Sequence, residues 1–357
     1  LVPFLAASGE LKTKPTQHSV KTLLESGIQP DILVCRTEHP INSEIKKKIA
    51  QFCNVEHSAV IESRDVSSIY EVPLLMQKEN LDKIVLKKLE LDNKTEPELT
   101  KWKEFVFGLE SLDQEISIGL VGKYVELKDA YKSISEAIIH AGVKNSSKIK
   151  IKWIHAEKIN NNNVKKELLG LKGVIVAPGF GDRGIEGKIS AIKYIRENNI
   201  PFFGICLGMQ SAVIEYARNV LQLKDANSTE MDPDAPDPVI NLMHGQKEIT
   251  KKGGTMRLGA YDCCLKKESQ AYTAYKKNNI SERHRHRFEF NNKYTIDLEN
   301  AGLIATGINR KNNLVEVIEI PSHPWFVGVQ FHPEFKSTVD NPHPLFCAFI
   351  QACLKNK

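Results

Sequence analysis

A short apolar run, Ile200-Pro201-Phe202-Phe203-Gly204-Ile205, passes directly into Cys206 and then into a helical pattern, and this junction restricts the fold more than any other part of the chain. A handful of apolar, partly aromatic residues in a row suits a strand buried on both faces, as in a parallel sheet. Beyond the cysteine, Met209, Ala212, Val213, Tyr216, Ala217 and Val220 recur at three- and four-residue steps, the stripe of an amphipathic helix. Strand, cysteine and helix in immediate succession require a sharp turn. Gly204 and Gly208, two residues to either side, leave room for it, as in the nucleophile elbow of serine hydrolases. A thiol placed there faces a helix N-terminus, whose dipole favours thiolate. A single cysteine after an apolar strand is more often a small buried hydrophobe, so the reading needs a partner.

The partner is downstream. Trp325-Phe326-Val327-Gly328-Val329-Gln330-Phe331 reads as a second core strand, and it ends in His332-Pro333-Glu334. Alone, that tripeptide is an ordinary surface turn. Beside an elbow cysteine it supplies an imidazole base and a carboxylate that fixes its tautomer and stabilises its charged form. Cys206, His332 and Glu334 are therefore the expected catalytic set. Gly179-Phe180-Gly181-Asp182-Arg183-Gly184 matches G-x-G-x-x-G after the strand Gly173–Ala177, but a dinucleotide site also wants an acid at the next strand end, and that strand ends at Cys206.

With 357 residues the chain is longer than one core usually serves, so two domains are expected. Asp31–Cys35 and Ala59–Ile61 read as strands alternating with helices over Pro15–Gly27, with Val20, Leu23 and Leu24 inward, and over Ser43–Cys53. That alternation predicts a parallel sheet with helices on both faces. Residues 78 to 115 are rich in Lys, Glu and Asp and read as a solvated linker with helical pieces, and a fresh α/β run opens at Ile116–Val121. The expected division is 1–113 and 114–357. A net charge of +5 spread over 49 basic and 44 acidic side chains demands neither nucleic acid nor membrane. The basic stretch Glu282–Glu289 is flanked by acids and has few aromatics, which argues against single-stranded nucleic acid. No apolar stretch approaches the roughly 20 residues of a membrane span. Seven cysteines in a chain this long do not outline a disulfide framework, which favours a reducing, cytoplasmic setting.

Gly204-Ile205-Cys206-Leu207-Gly208-Met209-Gln210 together with Gln330-Phe331-His332-Pro333-Glu334-Phe335 resembles the class I (triad) glutamine amidotransferases. Gly9–Ser19, Ala226–Glu230, Gly253–Gly259 and Glu282–Glu289 narrow the resemblance to the CTP synthases among them, almost end to end. The resemblance implies two α/β domains with parallel sheets: a partial P-loop-like amidoligase domain, then a class I glutaminase domain. It implies that Gly179, Leu207, Gly208, Met209, Gln210, Glu230 and Arg287 bind glutamine, with the N–H groups of Gly179 and Leu207 facing the oxyanion. Glu230 would take the substrate ammonium and Arg287 its carboxylate. Lys12, Thr13, Lys14, Pro15, Thr16, Gln17 and Lys48 match the UTP and CTP side, where two cations at a helix start form an anion cradle. Arg64, Asp65 and Val66 match the ATP side.

The implied reaction is ATP-dependent amination of UTP to CTP with ammonia from glutamine, with magnesium, GTP as activator and a homotetramer as the family's assembly. No metal ligand is expected in this chain. It has no G-x-x-x-x-G-K-[ST] and starts at Leu1 in mid-pattern, so it reads as a C-terminal fragment lacking the phosphate-loop part, limited to weak glutaminase activity. Two departures stand out: Pro178 fixes φ where the family has glycine, and the stretch from Glu230 to Gly253 is short, so the lid of the GTP response is expected to differ. A stand-alone cysteine glutaminase or γ-glutamyl hydrolase would share the triad without needing Lys12–Ser19. A non-catalytic scaffold would have no use for the triad.

Overall fold

Parallel strand pairing organises both halves of the chain. The computed structural model describes residues 1–92, 95–242 and 256–356. Contacts divide the chain into Leu1–Phe107 and Gly108–Lys357, a few residues ahead of the expected boundary.

In the first unit, β1 (Phe4–Leu5) and β2 (Glu10–Leu11) form a short antiparallel pair ahead of α1 (Lys14–Glu25). Strands β3 (Leu33–Thr37) and β4 (Val60–Arg64) pair in parallel across α2 (Ser43–Cys53). Asn42 caps α2 through its side chain, 2.9 Å from the Ile45 N–H, and Asn54 ends it in the left-handed region at φ 53°. Ile49, Ala50 and Cys53 pack with Val20, Cys35 and Val60 into a small core. Helices α3 (Val72–Lys78), α4 (Leu81–Lys88) and α5 (Thr100–Glu110) occupy the stretch read as a linker with helical pieces.

The inward face of α1 corrects the sequence reading. Val20 is buried, but Leu23 and Leu24 are 36% and 38% exposed, and the remaining buried positions are Thr16 and Gln17. Those two polar side chains are inside because each is satisfied there. Thr16 Oγ1 donates to the Leu1 carbonyl at 2.8 Å, and Gln17 Nε2 to Thr13 Oγ1 at 3.0 Å.

In the second unit, β5 (Glu115–Gly122), β6 (Lys148–His155), β7 (Gly173–Val176), β8 (Phe202–Ile205) and β16 (Phe326–Val329) pair in parallel in the order β6-β5-β7-β8-β16. The sheet then continues past β16 as β15 (Leu314–Glu319), β14 (Ile304–Asn309), β11 (Arg257–Leu265) and β12 (Asn279–His286), all antiparallel. Only half of this sheet is therefore parallel. The links between β14, β15 and β16 are too short for a helical crossover, so these strands turn back as hairpins. A small separate sheet pairs β9 (Ala226–Ser228), β10 (Asp237–Leu242) and β13 (Phe288–Phe290).

Helices α6 (Lys132–Lys144), α7 (Val164–Leu168), α8 (Ile185–Glu197), α9 (Leu207–Asn219), α10 (Gln270–Tyr275), α11 (Thr295–Ala301) and α12 (Pro344–Lys355) complete this unit. Alternation along the strands sends successive side chains to opposite cores. Phe202 stacks on Phe326 at 4.3 Å on the face shared with α8 and α9, while Phe203 meets Phe346 edge-on at 5.2 Å on the face shared with α6 and α12. Each is fully buried, a contribution of roughly 1.5–3 kcal/mol per side chain. The two cores clamp β8 and β16 from both sides, and the site lies just beyond their ends.

Candidate active site

Strands β8 and β16 run side by side in the same direction, with Ile205 opposite Val329. The residues that follow them must then emerge together at one sheet edge, the end at which open α/β sheets bind ligands. Cys206 is the next residue after β8, and its N–H donates to the Val329 carbonyl at 2.7 Å. The chain turns there at φ 52°, ψ −105°, a conformation that costs a non-glycine residue on the order of 1–3 kcal/mol, and α9 begins at Leu207. The flanking glycines are required by contact. A Cβ at Gly208 would stand 2.1 Å from the Val176 carbonyl oxygen, and one at Gly204 2.6 Å from the Phe202 ring and 2.9 Å from the Gly208 backbone.

Beyond β16, Gln330 Nε2 lies 3.7 Å from the Cys206 sulfur, and the His332 N–H donates to the Arg283 carbonyl of β12 at 2.8 Å. His332 Nδ1 is 2.8 Å from Glu334 Oε1, while its Nε2 is buried without a hydrogen-bond partner among the described residues. Burial alone would lower the affinity of this imidazole for its proton. Attraction to the Cys206 thiolate, and then the Glu334 carboxylate, outweigh burial and push it up to about 10. The ring therefore favours its protonated form beside Cys206, with Glu334 fixing it from behind.

Two hollows meet at Cys206. The smaller, about 30 Å³, is lined by Gly179, Phe180, Gln210, Glu230, Arg287 and Phe288. A wider one of about 270 Å³ lies on the other side, bounded by Tyr124, Pro178, Phe180, Arg285, His332 and Phe335. Gly179, Gln210, Glu230 and Arg287, expected to act together, are therefore brought to one cavity beside the thiol. Met209 is not: its side chain is fully buried in the core, packed near Gly328. Gly208 serves close packing and Leu207 contributes its backbone at the helix start. Gln210 Nε2 donates to the Phe288 carbonyl at 2.9 Å, and Glu230 accepts the Gly181 N–H at 2.7 Å. Met256–Gly259 enters β11, while Gly253–Thr255 and residues 243–252 of the stretch from Glu230 to Gly253 lie outside the described residues.

The first unit holds the nucleotide-side residues. Lys12 pairs with Glu10, which Lys48 also helps to keep ionised, so these two cations gather around a carboxylate. Lys14 instead sits 5.9 Å from the Phe52 ring. Thr13, Thr16 and Gln17 are buried in the hydrogen bonds described above, and Pro15 opens α1. Arg64 and Asp65 fall at the carboxyl ends of β3 and β4, the usual ligand edge, with Val66 next. Asp65 Oδ1 is bonded to Arg36 Nε at 3.0 Å.

Several groups at the site were not singled out in the sequence. Lys188, fully buried, donates to the Ala177 carbonyl at 2.7 Å, and burial pulls its amine down to about 7. Lys123, 2% exposed, donates to the carbonyls of Phe180 and Gly181, the latter at 2.7 Å. A buried polar cluster also abuts the smaller hollow. Arg257 Nη2 bonds Glu316 at 2.6 Å, Arg257 Nη1 bonds Glu289 at 3.3 Å, and His284 Nδ1 lies 2.9 Å from His286 Nε2. Burial, then Arg257, holds these two imidazoles neutral, His284 near 2 and His286 near 3. Burial likewise raises Glu289 well above the carboxylate range and Glu316 to about 7. A helical-wheel reading of α8, whose inward positions include Ile185, Lys188, Ile189 and Ile192, would have exposed the buried lysine.

A cysteine in a strained elbow, beside a carboxylate-backed imidazole at the edge of a parallel sheet, defines an α/β enzyme of the nucleophilic acyl-transfer class. Residues 126–352 match the model of Glutamine amidotransferase class-I, and the chain belongs to that family. Residues 1–91 match the model of CTP synthase N-terminus, within the stretch 1–113 where the sequence leads one to expect part of a synthetase domain. The CTP synthase of Cytophaga hutchinsonii is 62% identical over 352 residues, 99% of this chain and 65% of that protein. The CTP synthase of Christiangramia forsetii is 60% identical over 99% of this chain and 64% of its own length. This chain thus spans about 65% of the length of these relatives. Among solved structures, the Trypanosoma brucei CTPS glutaminase domain with bound acivicin matches with a TM-score of 0.64 at 38% identity, covering 68% of this chain and 95% of that one. Among the described residues no helix is long and apolar enough to cross a membrane.

Proposed function

We propose that this chain hydrolyses glutamine at Cys206 and supplies the ammonia for amination of UTP, the reaction of a glutamine-dependent CTP synthase. The parallel register of β8 and β16 carries the glutaminase part, because it brings a thiol and a glutamate-backed imidazole to one sheet edge. The identity to CTP synthases across both units supports the synthetase part.

In the proposed reaction the Cys206 thiolate attacks the side-chain amide carbon of glutamine, and the N–H groups of Gly179 and Leu207 receive the oxyanion. His332 Nε2, held protonated, gives its proton to the departing nitrogen, which leaves as ammonia, and a thioester remains. The now neutral His332 takes a proton from water, the hydroxide adds to the thioester, and collapse releases glutamate and restores the thiolate. Arg287 would hold the substrate carboxylate and Glu230 its ammonium. Met209 acts only as packing.

The nucleotide roles of Lys12 to Gln17, Lys48, Arg64, Asp65 and Val66, the GTP response and a tetrameric assembly rest on similarity to CTP synthases. Among the described residues no group of three His, Cys, Asp or Glu side chains is placed to hold a metal. A cytoplasmic setting suits seven cysteines that are all free thiols.

The test is ammonia and glutamate release from glutamine by the purified chain. Equal release by wild type and Cys206→Ala would refute the proposal. UTP-dependent stimulation of that release separates a synthase from a stand-alone glutaminase or γ-glutamyl hydrolase, which has no response to UTP.

A further inference from the structure

Of the nine backbone hydrogen-bonding groups from Ala177 to Gly181, five are bonded among the described residues, and they hold the two ends of the segment. The Ala177 N–H donates to the Val121 carbonyl at 2.9 Å, Pro178 has no N–H, and the Gly181 N–H goes to Glu230 at 2.7 Å. The Ala177 carbonyl is taken by Lys188, and those of Phe180 and Gly181 by Lys123. Among the described residues neither the Gly179 N–H nor the Phe180 N–H has an acceptor, and both residues line the hollow beside Cys206, Gly179 being the one that follows the anchored Ala177-Pro178 unit.

Lysine is an unusual choice for the Ala177 contact. A side chain with a four-carbon stem and an amine is fully buried in α8, and among the described residues it bonds one carbonyl and pairs with no carboxylate. Such burial is costly, and a methionine would fill the same space without it. Retaining an amine there makes physical sense if the donor is needed. An anchored Ala177 carbonyl fixes one side of the loop, and the Pro178 ring fixes φ. A single soft torsion, ψ of Pro178, is then left to aim the Gly179 N–H. Lys123 and Glu230 hold the far side of the loop.

We propose, resting on the glutaminase reading above, that Lys188 is a positioning residue for acyl transfer: its bond to the Ala177 carbonyl, with Lys123 holding Phe180 and Gly181, keeps the Gly179 N–H aimed at the oxyanion. In this chain the clamp replaces switching by a flexible glycine with a loop set permanently in the competent orientation.

The experiment compares wild type with Lys188→Met, which keeps the stem and removes the donor. Three quantities are read: kcat and KM for glutamine hydrolysis, and the rate at which iodoacetamide alkylates Cys206. Alkylation is displacement at a saturated carbon and builds no oxyanion, so it reports on the thiolate alone. The expected result is kcat lower by roughly 10- to 100-fold, below the full loss of an oxyanion donor, with KM and the alkylation rate within about twofold of wild type. Lys188→Gln, which retains an N–H donor, recovers part of kcat. A wild-type kcat in Lys188→Met overturns the inference, as does a parallel fall in kcat and alkylation, the mark of a collapsed site. If Lys188→Met does not fold, Lys188→Gln and Lys123→Met decide by the same split. Wild type inactive on glutamine sinks the glutaminase reading and this inference with it, whereas active wild type with an indifferent Lys188→Met sinks only the inference.

Discussion

Gly208→Ala adds one methyl group, and the structure says where it goes. The new Cβ would lie 2.1 Å from the carbonyl oxygen of Val176, and real Cβ atoms essentially never approach closer than 3.0 Å. The start of α9 must therefore move away from β7 by at least about 0.9 Å. Nothing soft can give way instead, because Val176 is backbone in a fully buried parallel strand and the helix is buried from Leu207 through Ala217. The displacement carries Cys206 and the Leu207 N–H with it. Misplacing a reacting group by about 1 Å costs on the order of 100-fold in rate, or about 2.7 kcal/mol of barrier.

Stability changes less. Overpacking costs typically 1–3 kcal/mol, and alanine's better helix propensity returns up to about 1 kcal/mol. The expected outcome is kcat/KM for glutamine hydrolysis down roughly 100-fold, with a urea midpoint lowered by no more than about 2 kcal/mol of unfolding free energy. Ammonia release and equilibrium unfolding monitored by tryptophan fluorescence measure the two. Activity within twofold of wild type, with the unfolding curve unchanged, would show that the elbow tolerates a side chain and that its geometry is not what aims the sulfur.

The strain at Cys206 gives a second expectation: at φ 52° and ψ −105°, glycine should be better tolerated than alanine. Cys206→Gly is expected to be more stable than Cys206→Ala by about 1 kcal/mol, reversing the usual order, and equal or inverted stabilities in urea titrations refute this. The His332 proton gives a third. Its folded value, near 10, stands above the ordinary 6.5, so the folded state keeps a proton that the unfolded state loses in between. That contribution is full below pH 6.5 and declines as pH rises towards 10, so the stability difference between wild type and His332→Gln should shrink over that window; a difference that grows with pH contradicts it. Imidazole resonances followed by NMR should show the His332 midpoint falling in Cys206→Ala, where burial is opposed by Glu334 alone. Finally, Arg287→Ala should raise KM for glutamine at least tenfold while iodoacetamide alkylation of Cys206 proceeds at the wild-type rate, and an unchanged KM removes Arg287 from substrate binding.

The parts of this site that could be read from sequence are those where backbone geometry and side-chain chemistry coincide. Gly204, Cys206 and Gly208 announce the elbow because only glycine clears the Phe202 ring and the Val176 carbonyl. The polar interior was not legible in the same way. Glu282–Glu289 reads as a basic solvated face, yet β12 alternates strictly, exposing Arg283 and Arg285 and burying Glu282, His284 and His286. Period-two patterning is present, but the inward residues are polar, and a search for buried apolar positions passes over them. Their burial depends on Arg257, Glu289 and Glu316, contributed by strands that are distant in sequence. Leu23 and Leu24 fail for the converse reason: α1 has two candidate inward stripes, and the polar one won because Leu1 and Thr13 supply its hydrogen bonds. The antiparallel half of the sheet was missed because its strands β14 and β15 lie in short hairpins with no punctuating helix.

The unexpected antiparallel half also explains how the histidine is held. The parallel pairing of β8 with β16 delivers Cys206 and the segment from Gln330 to Glu334 to one edge, but a strand end alone leaves that segment free to swing. Two backbone bonds remove the freedom: the Gln330 N–H donates to the Glu316 carbonyl of β15 at 2.9 Å, and the His332 N–H to the Arg283 carbonyl of β12 at 2.8 Å. Glu316 is in turn tied to Arg257 of β11 through its side chain. The imidazole is thus fixed by strands that contribute no reacting group, and the next turn of the same chain, after His286, presents Arg287 to the smaller hollow. A substitution that disturbs the Arg257 cluster should therefore lower the rate without touching glutamine, through the placement of His332, while one that disturbs α8 acts through the loop at Gly179. The parallel strands thus bring Cys206 and His332 to one edge, and the antiparallel strands beside them hold the segment that carries His332 in place.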